Sequence, residues 1–270
     1  MPYGLIAGNG RFPVLALEAA KKAGLDVVAI GIKEEASPEI EPVAVRCHWI
    51  SLGALSKLIE ICHREGITQV MMCGQVKHAK IFSSIVPDLK LVKLLASIET
   101  KNTEGLIGAV IKVLKDDGIE LLDSTLLLKD LLAPAGVLTR RKPSADEERD
   151  IDYGLRIAAT LSEHDIGQSV AIAERACVAV EAMEGTDAML RRAASLVEGK
   201  PLRLIKGSRR RTHMLYDVPV IGPKTIAVMR ETNTTALSID AGRTLLLDRA
   251  ELLRQADAAQ IAIIAHAEQP

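Results

Sequence analysis

The sequence predicts an α/β protein in two domains, an N-terminal Rossmann-like parallel sheet with helices followed by a C-terminal α/β domain. Three observations lead there. Short apolar runs alternate with helical periods through the first half, residues 133–143 carry two prolines and a glycine that interrupt the pattern, and strand and helix signals then resume as far as Ala265. The expected domains are therefore 1–132 and 144–270, with a linker over 133–143.

Gly4 to Ala7 reads as the first strand, Phe12 to Ala23 as a helix, Val27 to Gly31 as a strand, Leu52 to Glu65 as a helix and Gln69 to Cys73 as a strand, a βαβαβ pattern. Leu55, Leu58, Ile59 and Cys62 share one helical face, as a helix lying on a sheet requires. Parallel strands with right-handed crossovers are the economical topology. Helices over Asp88 to Ile98 and Thr103 to Asp117 precede a short strand, Ile119 to Leu122. Beyond the linker, Ser144-Ala145-Asp146-Glu147 is a capping box that opens a helix to about His164, and Gly167 suits its C-terminal stop. Strands are expected near Ser169 to Ala173, Cys177 to Val180, Leu202 to Ile205, Ala236 to Ile239, Thr244 to Leu247 and Ile261 to Ala265, with helices at Ala188 to Leu196, Lys224 to Glu231 and Asp248 to Ala258.

Composition narrows the function. A net charge of -1 and 2% aromatics give neither the electrostatic footprint nor the stacking platforms of a nucleic-acid binder. The first residues lack the basic flank and apolar length of a signal peptide, and no later run reaches spanning length, so a cytoplasmic protein is expected. The cysteines at 47, 62, 73 and 177 show no C-x-x-C spacing and read as small buried hydrophobes. Cys47-His48 and Cys62-His63 are poor zinc clasps, because adjacent side chains diverge on a strand and on a helix. G-x-S-x-G, H-E-x-x-H and Walker A patterns are missing.

Several loops carry phosphate chemistry. Gly8-Asn9-Gly10-Arg11-Phe12-Pro13 follows a strand and opens a helix, where glycine freedom and N–H groups suit a phosphate or pyrophosphate. Pro13 stands where a dinucleotide fingerprint has its third glycine, so the motif is weak for NAD and compatible with a nucleotide diphosphate; a structural turn is the plain alternative. Gly74-Gln75-Val76-Lys77 leaves another strand on the same rim, with Gln75 and Lys77 able to hold a base, sugar or phosphate, or to form a solvated loop. Gln168 sits at a strand start. From Glu181 to Asp187, three carboxylates and Gly185-Thr186 crowd a strand-to-helix junction, with Thr186 or Asp187 as N-cap: either an anion or metal site, or a capped helix with surface acids. Asp217 would complete a magnesium site with Glu181, Glu184 or Asp187 if the fold brings them together, and the basic stretch Lys206 to Arg211 would neutralise phosphate charge. The plain alternative is a solvated loop and a turn before Pro219.

Taken together, Gly4 to Pro13, Gly74-Gln75-Val76, Asp123-Ser124-Thr125, Leu132 to Thr139, Asp165-Ile166-Gly167-Gln168, Ala179 to Asp187 and Asp217-Val218-Pro219-Val220-Ile221-Gly222 resemble the two-domain UDP-2,3-diacylglucosamine pyrophosphatase family of lipid A synthesis, in order along nearly the whole chain. The resemblance implies magnesium-dependent cleavage of a UDP-linked diacylated sugar to UMP and 2,3-diacylglucosamine 1-phosphate, with water attacking the phosphorus on the sugar side and the ligand held between the domains. It also implies a homodimer that meets its substrate at the inner membrane leaflet by peripheral contact. Asp217 is the implied magnesium ligand and catalytic residue. We assign Glu184 and Asp187 as its catalytic partners, and Gly8, Asn9, Gly10, Gly74, Gln75, Lys77, Gln168, Glu181, Gly185, Thr186 and Lys206 to substrate binding. One departure stands out: the family usually reads K-P-x-Q-[DE]-x-R before the Asp217 element, and this chain has Arg209-Arg210-Arg211-Thr212-His213-Met214-Leu215. A nucleotide-sugar or lipid-phosphate binder without turnover and, on the first glycine turn alone, a nicotinamide-dependent oxidoreductase are the rival readings.

Overall fold

The computed structural model describes residues 1–76, 87–97, 103–164, 166–207, 214–216 and 218–267. Lys77, Asp165, Arg209 to Arg211, His213 and Asp217 lie outside the described residues. The chain forms two compact units, one of residues 1–129 together with 214–216, the other of residues 130–207 and 218–267.

In the first unit, β1 (Tyr3–Ala7), β2 (Val27–Ile32), β3 (Arg46–Ile50), β4 (Gln69–Cys73) and β5 (Glu120–Leu121) form one sheet in the order β3-β2-β1-β4-β5, every pairing parallel. Helices α1 (Phe12–Lys22), α2 (Leu55–Glu65), α3 (Leu89–Ser97) and α4 (Thr103–Asp116) connect or flank the strands. All six residues of β2 are buried, so both faces of the sheet are covered, and a continuous apolar run is the sequence form such a strand takes. The strand β3 is invisible to an apolar-run criterion because it is a polar edge: Arg46 and His48 each reach Glu65 of α2 at 2.8 Å. Burial pushes the Cys47 and Cys62 thiols up to about 11, the Glu41 charge adding to the effect at Cys47. Among the described residues no group of three His, Cys, Asp or Glu side chains is placed to hold a metal ion.

The second unit contains β6 (Gly136–Val137), α5 (Ala145–Glu163), β7 (Ser169–Ala173), β8 (Ala176–Val180), α6 (Thr186–Leu196), β9 (Leu202–Lys206), β10 (Val220–Ile221), α7 (Pro223–Glu231), β11 (Thr234–Asp240), β12 (Leu245–Leu246), α8 (Arg249–Ala258) and β13 (Ala262–His266). Its main sheet has the order β6-β13-β11-β9-β7-β8, with β9, β11 and β13 parallel and the outer pairings antiparallel; β10 and β12 pair separately. The hairpin between β7 and β8 turns on Glu174 and Arg175, both at positive φ, a turn that its side chains do not announce. The core of this unit centres on Met189, Leu190, Leu204, Leu237 and Ile263.

The residues expected to form a linker are woven into this second unit. Ala133 is buried and donates to the Thr244 carbonyl, Gly136–Val137 pair with β13, and Thr139 Oγ1 accepts from Ile263 N at 2.9 Å. Prolines and a glycine are compatible with a short edge strand, which is why the segment reads as a break. The Ser144–Glu147 capping box forms, with Glu147 Oε2 2.8 Å from Ser144 N and Ser144 Oγ 3.3 Å from Glu147 N. Arg141 grips the same carboxylate at 2.7 and 3.0 Å.

Candidate active site

Two edges, one in each unit, collect the described residues singled out in the sequence. The first is the carboxyl edge of the parallel sheet at the point where strand order reverses, with β2 on one side of β1 and β4 on the other; α/β proteins bind ligands at such a switch. The turns leaving β1 and β4 are stitched by main chain: Gly8 N to Cys73 O at 2.8 Å, Asn9 N to Gln75 O at 2.7 Å and Gln75 N to Asn9 O at 3.1 Å. Gly74 makes this approach possible, since its φ is +88° and a Cβ there would lie 2.6 Å from the Asn9 carbonyl oxygen. Gly10 follows, and α1 then starts with Pro13 in its first turn and no acidic residue there, so its positive end is uncompensated by a carboxylate of that turn. The Asn9 amide donates to Glu35 Oε2 at 3.2 Å, and Glu35 is only 7% exposed. Glu35 escaped the sequence reading; its signal is an acid just past the second strand, where dinucleotide folds place a ribose acceptor.

The second edge is built of side chains. Ser169 opens β7, Glu181 follows β8, Thr186 is the first residue of α6 and Lys206 ends β9. Thr186 Oγ1 is the hub, at 3.1 Å from Glu181 Oε1, 3.0 Å from Lys206 Nζ and 3.1 Å from Ser169 Oγ. The other carboxylate oxygen, Glu181 Oε2, is buried with no hydrogen-bond partner among the described residues. Glu181 N donates to Ser169 O at 2.8 Å, and Gly207 N to Gln168 O at 2.9 Å, which holds Gln168 beside the cluster. The helix cap is Gly185 at φ +84°, rather than Thr186 or Asp187: the hydroxyl of Thr186 is committed to the cluster instead. Gly167 is likewise something other than a helix stop. The helix α5 closes on His164, and a Cβ at Gly167 would fall 2.0 Å from the Glu181 carbonyl oxygen, so the missing side chain is what lets the Glu181 backbone settle.

The remaining two acids of the motif stand apart in ion pairs. Glu184 accepts from Ala182 N at 3.0 Å and from Arg192 at 2.5 Å; burial works against its charge, but its own N–H, Arg192 and Ala182 hold the carboxyl below its ordinary range. Asp187 lies 3.0 Å from Lys224. Two polar residues that the sequence reading passed over also end strands on this edge: Asp240 and His266 are register partners at the ends of β11 and β13, and His266 Nε2 is buried without a partner among the described residues. Their signal is a polar residue closing an apolar strand.

The geometry thus gathers Gly8, Asn9, Gly10, Gly74 and Gln75 on one edge and Gln168, Glu181, Gly185, Thr186 and Lys206 on another, with Glu184 and Asp187 at the start of α6. The LpxI N-terminal domain model matches residues 2–131, and the LpxI C-terminal domain model matches residues 134–264. The chain belongs to the LpxI family. A curated relative, the UDP-2,3-diacylglucosamine pyrophosphatase LpxI of Caulobacter vibrioides, is 30% identical over 266 residues, covering 94% of this chain and 93% of that protein. Solved structures align only loosely: an L-amino acid ligase from Bacillus licheniformis at 14% identity and TM-score 0.29 over 67% of this chain and 39% of the other, and the biotin carboxylase subunit of a pyruvate carboxylase at 14% and 0.27 over 73% and 42%. Those likenesses carry no argument about an LpxI chain. No helix among the described residues is long and apolar enough to cross a membrane.

Proposed function

We propose that this LpxI-family chain hydrolyses the diphosphate of UDP-2,3-diacylglucosamine, adding water to the phosphorus on the sugar side and releasing UMP and 2,3-diacylglucosamine 1-phosphate. The observation that carries the reading is the match along both domains to a family whose curated relative is named for this pyrophosphatase. In the balanced reaction one P–O bond forms to water, the P–O–P bridge breaks, and UMP leaves with the bridging oxygen.

Magnesium fits the donor chemistry. It takes one or two carboxylates and fills its shell with water and phosphate oxygens, and Glu181 Oε2 is a buried carboxylate oxygen without a hydrogen-bond partner. Asp217 would hold the ion on the strength of the family resemblance. When bound, magnesium polarises the phosphates and stabilises the charge that develops as the bridge breaks. The chain's own residues do the rest. The amino end of α1, after the Gly8–Gly10 turn, binds an anion through main-chain N–H groups, since those of Gly8 and Asn9 are taken by Cys73 and Gln75. Lys206 keeps its ammonium oriented through Thr186, a bond that takes one of its three donors, and its charge would neutralise a phosphate oxygen. Ser169 and Glu181 fix the Thr186 hydroxyl, so Lys206 is placed before the ligand arrives. Glu184 and Asp187 orient the attacking water or reach the ion through water; Gln168, Gly74, Gln75 and Lys77 complete the substrate contacts. The same reading has the enzyme acting in the cytoplasm as a homodimer, with peripheral contact to the inner leaflet where an acylated substrate resides.

The test is UMP release from UDP-2,3-diacylglucosamine with magnesium and with EDTA, run in 18O-labelled water. Metal-dependent release with the label in the sugar phosphate is expected. Binding without metal-dependent product, or label in UMP, would overturn the reading. Asp217→Ala should abolish turnover and leave the melting temperature nearly unchanged.

A further inference from the structure

The segment that leads into Asp217 is fastened to the first unit although the chain before and after it belongs to the second. Met214, Leu215 and Tyr216 are its described residues, and Leu215 and Tyr216 pack on the first unit's apolar core. One buried residue does the fastening. Ser124 is 1% exposed; its N–H donates to the Met214 carbonyl at 2.8 Å, and its Oγ lies 2.5 Å from the Leu215 carbonyl and 2.5 Å from the Met72 carbonyl of β4. The Ser124 carbonyl in turn accepts from Cys73 Sγ at 3.8 Å. The strand β4 runs directly into Gly74 and Gln75 of the candidate nucleotide edge. A hydroxyl carries a single proton, so replacing it leaves two inward-facing carbonyls with one donor fewer, at a place where water has little access.

We infer that Ser124 is a positioning residue for the Asp217 element: its hydroxyl and N–H tie Met214 and Leu215 to the end of β4, two residues before Asp217, and so fix where that carboxylate starts from. The inference rests on the reading above, in which turnover depends on Asp217. Ser124 does not touch substrate in this assignment; it acts through the backbone it holds.

The experiment compares the full-length wild type with Ser124→Ala and Ser124→Thr by hydrogen exchange of the peptide 214–220, by steady-state kinetics and by thermal melting. In Ser124→Ala the peptide should exchange about tenfold faster, as loss of one net hydrogen bond predicts. Its kcat should fall by about a hundredfold, the scale of a small misplacement of a reacting group, with KM within about twofold because uniform binding is untouched. Ser124→Thr, which keeps the hydroxyl, should recover most of the kcat and the wild-type exchange. Unchanged exchange and unchanged kcat in a folded Ser124→Ala protein would overturn the inference, as would a loss that Ser124→Thr shares in full. Absence of turnover in the wild type would sink the proposed reaction and with it the positioning role, whereas the anchor itself stands or falls on the exchange data alone.

Discussion

The carboxyl edge of the first sheet and the corresponding edge of the second are made from different materials. Around β1 and β4 the contacts are main chain to main chain, and the residues that matter are those without a side chain, Gly8 and Gly74. Around β7, β8 and β9 the contacts are side chain to side chain, with Ser169, Glu181, Thr186 and Lys206 arriving from separate segments. A main-chain edge tolerates many neighbours and rejects an added methyl group; a side-chain edge rejects exchanges of chemistry. Both kinds of contact occur together within the second unit. Gly167 is the place where the side-chain edge depends on main chain approaching main chain, and there the largest effect is expected. Gly167→Ala sets a Cβ 2.0 Å from the Glu181 carbonyl oxygen, with backbone on both sides. The variant should lose at least about 3 kcal/mol, the upper range of overpacking, seen as a fall in the denaturation midpoint. An Ala variant of wild-type stability would show that the Glu181 backbone yields, and that the edge is less rigid than its contacts imply.

Acid acts on the second unit with an effect of similar scale. Burial pushes the Glu147 carboxyl up, but the hydrogen bonds from Arg141, Thr235 and Ser144 N more than offset it and bring it from an ordinary 4.5 to about 2. A folded-state value below the unfolded one means stability that is fully present above pH 4.5 and is lost as the pH falls toward 2. The lowering corresponds to about 3 kcal/mol, an order-of-magnitude figure, and it braces the entry of the second unit. Equilibrium unfolding of Glu147→Gln should therefore show a flatter pH dependence between 4.5 and 2 than the wild type. Equal slopes would locate the acid sensitivity elsewhere.

Gly74→Ala tests the main-chain edge. A φ of +88° strains any other residue and the Cβ would meet the Asn9 oxygen at 2.6 Å, so about 2 kcal/mol is expected. Nucleotide binding by calorimetry should weaken along with it, whereas the Glu181 cluster, measured through the second unit's stability, should not change.

What the sequence revealed follows the same division. The glycine turns after β1 and β4 were readable because glycine in a short loop after an apolar strand has few other uses, and their place on one rim needed only a doubly wound sheet; the bridge between Asn9 and Gln75 is seen only in the structure. Glu181, Thr186 and Lys206 were each visible as polar residues in suggestive places, but the Thr186 hub depends on three-dimensional convergence that spacing does not encode. The strand β3 was missed because Arg46 and His48 pair with Glu65 in a helix still to come, so its periodicity carries little apolar signal. The segment 133–143 misled for the opposite reason: its prolines and glycine are the letters of a linker, yet it supplies an edge strand and the Arg141 grip on Glu147. Asp240 and His266 end strands as single polar residues, a signal too small to separate from ordinary strand termini. The placement of 214–216 with the first unit is a topological fact that no local pattern carries.

The smallest effect concerns a side-chain bond on the main-chain edge. Asn9 donates to Glu35 at 3.2 Å, a bond to a buried carboxylate from a residue whose backbone is already held by Gln75 on both sides. Asn9→Ala removes the amide but not the bridge, so the cost should be about 1 kcal/mol, below that of Gly74→Ala. If the edge binds nucleotide through its backbone, affinity should hold within about threefold, about 0.6 kcal/mol. If instead the Asn9 amide and Glu35 together read the ribose or base, affinity should drop by more than about tenfold with little change in stability, and Glu35→Gln should reproduce the drop. The second outcome would move this edge from the main-chain class to the side-chain class and make Glu35 a specificity determinant that the glycine turn merely frames.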